Sequence, residues 1–254
     1  MKIRKRIVVK LGSSQIVDTN LKPKLKDLRR LVKQVAQLRK QDKEVVLVSS
    51  GAIALGMGEL KEHKRPTELS DLQARAAIGQ AALMQLYCGL FKEVRLKCAQ
   101  VLLTRDDLDD KARSLNAKHT LDAILKQGVV PVINENDTTA TEEIKFGDND
   151  KLSAMVAELI HADLYVILSD VKGYYDHEKK VLSKVEEITP TIIDMAAGTG
   201  NIHIAKGGMK TKIDAVKITT NAGIPSYIAA GSETDVLLRL FKAELVGTYF
   251  VEKQ

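Results

Sequence analysis

Six short apolar runs, separated by longer stretches of helical periodicity, constrain the fold more than any other feature of the chain. They are Ile7–Lys10, Val45–Val48, Ala99–Leu103, Val129–Ile133, Tyr165–Leu168 and Ser226–Ala229. They are mostly apolar and several are rich in β-branched residues, which marks strands covered on both faces. Helical patterns fill roughly 25–41, 71–96, 113–127, 150–161 and 210–222. This alternation predicts an α/β fold with a parallel sheet between helical layers. Ligands of such sheets bind beyond the carboxyl ends of the strands. No internal repeat or low-complexity tract is visible. The polar stretch 172–191, with a hairpin or loop tip at Asp176–Lys180, is the nearest thing to a boundary. It divides an N-terminal lobe of about 1–160 from a C-terminal lobe of about 161–254.

Composition excludes several function classes. With 254 residues, 44% hydrophobic and 28% charged, the chain can bury a full core. No apolar run approaches the length of a membrane span. Basic residues 1–6 lead straight into the first strand, so a secretory leader is not expected and a cytoplasmic location is. The net charge is +6, but the cations alternate with apolar positions at helical spacing, as in 22–43, and aromatics make up only 4%. That describes solvated helix faces rather than a nucleic-acid surface. The two cysteines, Cys88 and Cys98, fall in or beside apolar helical stretches and are read as buried thiols without metal-ligand spacing.

Chemistry is concentrated in a few polar segments at the ends of these runs. Lys10 ends a buried strand, where an ammonium needs water or an anion, and Gly12 follows it. Ser49-Ser50-Gly51-Ala52 turns from strand to helix, where serines commonly cap but where bare N–H groups also receive anions. Asn134-Glu135-Asn136-Asp137 closes another strand, and Gly147-Asp148-Asn149-Asp150 follows a segment, 139–146, that alternates like a hairpin. The pair reads as a cup for a polar substrate, with Asp137 gripping an ammonium and Asp150 orienting lysines. Lys206-Gly207-Gly208-Met209-Lys210-Thr211-Lys212 lacks Walker spacing but puts Lys210 and Lys212 in the first turn of a helix. There the helix dipole opposes cations unless an anion lies between. Ser169-Asp170 ends a further strand and is a nucleotide contact or a simple cap.

These segments, with Leu102–Arg105 and Pro131–Ile133, resemble the amino acid kinase family from the first strand to about Gly247-Thr248. The Asn134–Asp137 and Gly147–Asp150 pair is similar to that of the members acting on glutamate. The resemblance implies a three-layer α/β/α sandwich with a mainly parallel central sheet. It implies ATP-dependent phosphorylation of the L-glutamate γ-carboxylate, opening proline synthesis, with Mg²⁺ and no dedicated protein metal site. A homo-oligomer, dimer or tetramer, with proline as feedback inhibitor, is also implied. Residue by residue, Lys10 and Lys212 would neutralise the moving phosphoryl group, aided by the N–H groups of Gly12 and Gly51, with Asp150 holding the lysines. Ser50, Asp137 and Asn149, with Asn134 and Asp148, would bind glutamate. Ser169, Asp170 and Lys206 to Lys212 would bind ATP.

Some residues depart from the family pattern. Lys206 stands where a small or hydroxyl residue is usual, and Ser13 and Ser169 replace common threonines. Many members continue into a PUA domain, which is not expected here. Carbamate, acetylglutamate, aspartate and uridylate kinases share the lysines and glycines but not the Asn/Asp pair. A non-catalytic nucleotide or proline sensor is the reading from another class, and intact Lys10, Lys212 and Asp150 speak against it.

Overall fold

The computed structural model describes residues 5–140, 149–198 and 208–253. The six apolar runs are strands β1 (Arg6–Leu11), β2 (Glu44–Ser49), β3 (Cys98–Leu103), β4 (Val130–Glu135), β5 (Leu164–Ser169) and β9 (Ser226–Ala230). Four short strands were not anticipated: β6 (Tyr174–Tyr175), β7 (Val181–Leu182), β8 (Lys184–Val185) and β10 (Thr248–Phe250). The helices are α1 (Ser13–Ile16), α2 (Leu25–Arg39), α3 (Ala52–Glu59), α4 (Leu69–Glu93), α5 (Arg105–Asp109), α6 (Lys111–Lys126), α7 (Asp150–Leu159), α8 (Pro190–Gly198), α9 (Met209–Asn221) and α10 (Val236–Phe241). Every long helix read from periodicity is present within a few residues. The tip at Asp176–Lys180 connects β6 to β7, which pair antiparallel as a hairpin.

Among the described residues an eight-stranded sheet runs β3-β4-β2-β1-β5-β9-β10-β8. It is parallel from β3 to β9, and β10 runs antiparallel to β9. The sheet is mainly parallel, as expected. One correction concerns β3, where only Leu103 is buried and Gln100 is exposed. Its hydrophobicity resembles that of a central strand, yet it pairs with β4 alone and forms the edge.

Alternation along the strands sorts side chains into two cores. Ile7, Val9, Val45, Leu47, Leu164 and Val166 face the layer containing α2, α4 and α10. Val8, Val46, Val48, Tyr165 and Ile167 face the layer of α6, α7 and α9. Lys10 shares the parity of Val8, so the pleat sends it toward α7 and α9. From β1 the chain crosses by α2 to β2 on one side, and from β5 it crosses by α9 to β9 on the other. The helices lie on opposite faces, which opens a crevice at the carboxyl ends of β1 and β5.

The α3–α4 contact fixes one wall of that crevice. A Cβ on Gly56 would lie 1.9 Å from the Arg75 carbonyl oxygen, and one on Gly79 would lie 1.8 Å from that of Ala52. The helices therefore meet backbone to backbone. Gly79→Ala should force them apart and cost about 1–3 kcal/mol, read as a lowered urea midpoint. An unchanged midpoint would show that the contact is not needed.

Candidate active site

Lys10, Asp150 and Lys212 come from three elements and meet in one buried cluster. Asp150 is the first residue of α7 and is fully buried; Lys10 on β1 and Lys212 on α9 are 3% and 8% exposed. The Lys10 ammonium pairs with one carboxylate oxygen of Asp150, and Lys212 Nζ lies 3.2 Å from the other. Thr211 Oγ donates to that second oxygen at 3.0 Å. The carbonyl of Asp150 accepts from Ser153 Oγ at 2.7 Å and Tyr165 Oη at 3.2 Å, which pins the start of α7. Two ammoniums and one carboxylate thus meet in a poorly solvated place, where charges interact strongly.

Around the cluster, helix N-termini stand open. Neither α1, begun by Gly12, nor α3, begun by Gly51, has a side-chain cap, and α7 and α9 have none either. Of the other helices, α5 carries a Thr104–Asp107 capping box and α6 is capped by Asp110, while α2, α4 and α10 also lack a side-chain cap. Gly51 has φ +104°, so the left-handed turn itself calls for glycine. Gly12 is different: its φ is −68°, and an added Cβ would meet nothing closer than 3.8 Å. Neither backbone nor packing demands glycine there, which leaves room for a ligand atom.

A second polar network is built around Asn149. Although it precedes α7, its amide does not cap that helix. It donates instead to the Ser49 carbonyl at 2.8 Å and to Asn134 Oδ1 at 2.6 Å, tying together the ends of β2 and β4. Asn134 in turn donates to Gln80 Oε1 at 2.8 Å. Ser50 Oγ and Gln80 Nε2 are buried with no hydrogen-bond partner among the described residues. Such groups are costly unless something binds them. Burial pushes the Asp137 carboxyl up to about 6, against the charge of Arg65, which pulls it down. Burial likewise lowers the pKa of Arg65, opposed by Asp137.

On the other side, Ser169 is buried at the end of β5 and its Oγ donates to Asp170 Oδ1 at 2.9 Å, while Asp170 is exposed. Gly208, Met209, Lys210 and Thr211 form the start of α9, with Lys210 exposed. Asp148, Lys206 and Gly207, together with most of the expected hairpin (141–146), lie outside the described residues. The site thus unites Lys10, Asp150, Lys212 and Thr211, and separately Ser49, Asn134 and Asn149.

Sequence reasoning missed Gln80, Tyr165, Ser153 and Arg65. Gln80 and Arg65 lie in a helix and a connector with no motif of their own. Tyr165 and Ser153 left a faint signal, being polar hydroxyls inside apolar runs. The thiols need correction: Cys88 is exposed and Cys98 only half-buried. Cys88 lies on the outer face of α4 and Cys98 on the edge strand, which apolar neighbours in sequence did not reveal.

A doubly covered parallel sheet whose carboxyl edge gathers two lysines and open helix ends is the architecture of a small-molecule kinase. The chain belongs to the amino acid kinase family, which matches residues 5–230. It is 48% identical to the glutamate 5-kinase of Carboxydothermus hydrogenoformans, covering 98% of this chain and 68% of that one. It is 46% identical to the glutamate 5-kinases of Caldanaerobacter subterraneus subsp. tengcongensis (97% and 68% covered) and Burkholderia vietnamiensis (98% and 68%). Two solved structures share the fold at 16% identity. They are carbamate kinase from Giardia lamblia bound to AMP-PNP (TM-score 0.66, all of both chains) and UMP kinase from Bacillus anthracis (TM-score 0.64, 100% and 98% covered).

The raised pKa of Asp137 carries a stability consequence. Between its unfolded value of about 3.8 and about 6, the folded protein holds the extra proton, so stability falls as pH rises through that window. Asp137→Asn mimics the protonated form. Above pH 6 it should be more stable than the parent by up to about 3 kcal/mol, with no difference near pH 4, in paired denaturant titrations. Equal stability at pH 7 would show that Asp137 is well solvated.

Proposed function

We propose that this chain transfers the γ-phosphoryl group of ATP to the γ-carboxylate of L-glutamate, the glutamate 5-kinase reaction, giving L-glutamyl 5-phosphate for proline synthesis. The observation that supports it most is the convergence of Lys10 and Lys212 on Asp150 at the carboxyl edge of the sheet. A carboxylate is already a nucleophile, so no general base is needed. The barrier is repulsion between two anions, and fixed ammoniums offset it where charge moves.

In this reading Lys10 and Lys212 flank the phosphoryl group in transit, and Asp150 keeps both oriented. The N–H groups at Gly12 and Gly51 stabilise its oxygens. Ser50, with its unpartnered hydroxyl, and Asn149 and Asn134 position the acceptor. Asp148 belongs to the same role. Asp137 grips the α-ammonium, and Arg65 beside it takes the α-carboxylate, so each half-buried charge gains a partner when glutamate arrives. Ser169, Asp170 and residues 206–212 hold the nucleotide. The N-terminal lobe (about 1–160) then carries the acceptor and the C-terminal lobe (about 161–254) the donor.

Mg²⁺ fits as a cation carried on the ATP phosphates, where it would neutralise their charge. Among the described residues no three His, Cys, Asp or Glu side chains form a metal cluster, and Asp150 is already engaged by lysines. Mg²⁺ tolerates this, since it commonly keeps waters and phosphate ligands. A cytoplasmic homo-oligomer inhibited by proline completes the reading. Among the described residues no helix is long and apolar enough to cross a membrane.

Purified protein given glutamate, Mg²⁺ and ATP should yield a hydroxamate when hydroxylamine traps the acyl phosphate, whereas carbamate, aspartate and UMP should give none. Lys10→Ala should lower kcat by about 10²–10³-fold or more, while KM for glutamate changes only a few-fold. Unchanged turnover in a folded variant would remove Lys10 from the transition state. Protonation of Asp137 should weaken the ammonium grip, so KM for glutamate should rise below pH 6, by about tenfold per unit. A flat profile would assign the ammonium to another group.

A further inference from the structure

The chain has two cysteines, and the fold brings them together from different elements. Cys88 lies on the outer face of α4, Cys98 opens the edge strand β3, and their sulfurs are 3.4 Å apart. We propose that Cys88 and Cys98 are a modification site, closing into a reversible intramolecular disulfide on reaction with a small anionic disulfide of the glutathione class.

The separation is close to bonding distance, and two further features support the reading. A disulfide bond is about 2.05 Å long, so the sulfurs need to approach by only about 1.4 Å, within reach of side-chain rotation. Approach to the outer thiol is open: Cys88 is exposed, and a Cβ on the adjacent Gly89 would find no atom within 4 Å. The intervening turn carries exposed Lys92, Arg95 and Lys97, while its one acid, Glu93, is engaged by Arg29. A positive rim of this kind draws in an anionic oxidant.

The thiols divide the work. Exposed Cys88 reacts first: its thiolate attacks one sulfur of the oxidant, a mixed disulfide forms, and the other half leaves as a thiol. Cys98, half-buried, enters second. Burial, then the neighbouring Cys88 sulfur, raises the pKa of its thiol, so Cys88 rather than Cys98 meets the oxidant first. Its sulfur then attacks that of Cys88 and expels the second half. The protein gives up two electrons and two protons, and one oxidant molecule becomes two thiols. Where disulfides do occur in a reducing compartment they are usually transient or redox-sensing, which suits a pair this accessible.

The product would clasp α4 to β3. The residue before Cys88 is Tyr87, whose hydroxyl lies 2.9 Å from Ser49 Oγ, and the Ser49 carbonyl holds Asn149. Oxidation therefore acts one residue from a hydrogen bond that supports the acceptor side.

The reduced protein, incubated with oxidised glutathione, should lose both titratable thiols and two hydrogen masses within one chain, and dithiothreitol should restore them. Cys98→Ser should stop as a mixed disulfide with one glutathione. Cys88→Ser should keep its thiol for at least tenfold longer than Cys88 survives in the parent. Stable glutathione addition to the parent, a bond between two chains, or reaction only after unfolding would each overturn the proposal.

Discussion

A fully buried carboxylate held between two ammoniums sets the terms for the rest of this molecule. Asp150 cannot be ionised in the interior without partners, and each lysine needs the carboxylate as much. Removing one member of a buried ion pair typically costs about 3–5 kcal/mol, because the survivor is stranded. The three groups come from three different elements, so the cluster forms only when all three elements are in place. Satisfying it requires β1 to present Lys10 on one face, α7 to begin at residue 150, and α9 to bring Lys212 in its first turn.

Much of this was legible in the sequence because the signals are local. Runs such as Ile7–Val9 and Tyr165–Leu168 can only be doubly covered strands, and the helices between them have ordinary periodicity. Lys10 and the Lys206–Lys212 segment stood out because a charge sat where the neighbours forbade one. The edge position of β3 was hidden, since pairing partners are set by topology rather than by composition. β10 is three residues long and its direction depends on β9, which no local pattern encodes.

The Asn149 network shows the same limit. Asn134 and Asn149 were visible as turn residues, but turn chemistry would have had Asn149 cap α7. Its amide instead bridges two strand ends, a choice made by tertiary contacts 15 and 100 residues away. Arg65 and Gln80 became notable only when burial left their charge or amide poorly matched. Cys88 and Cys98 needed a helix face and a sheet edge to be placed before their contact could be seen.

The open starts of α1, α3, α7 and α9 have one more consequence. At α5 and α6 the chain supplies its own hydroxyl or carboxylate to the first turn, which it does at none of these four. In the proposed reaction the substrates' oxygens take that place, which makes the reactants structural members of the fold as well as its cargo. This edge of the sheet should consequently breathe when empty and tighten on loading, the bound phosphates lending order that the polypeptide does not provide for itself.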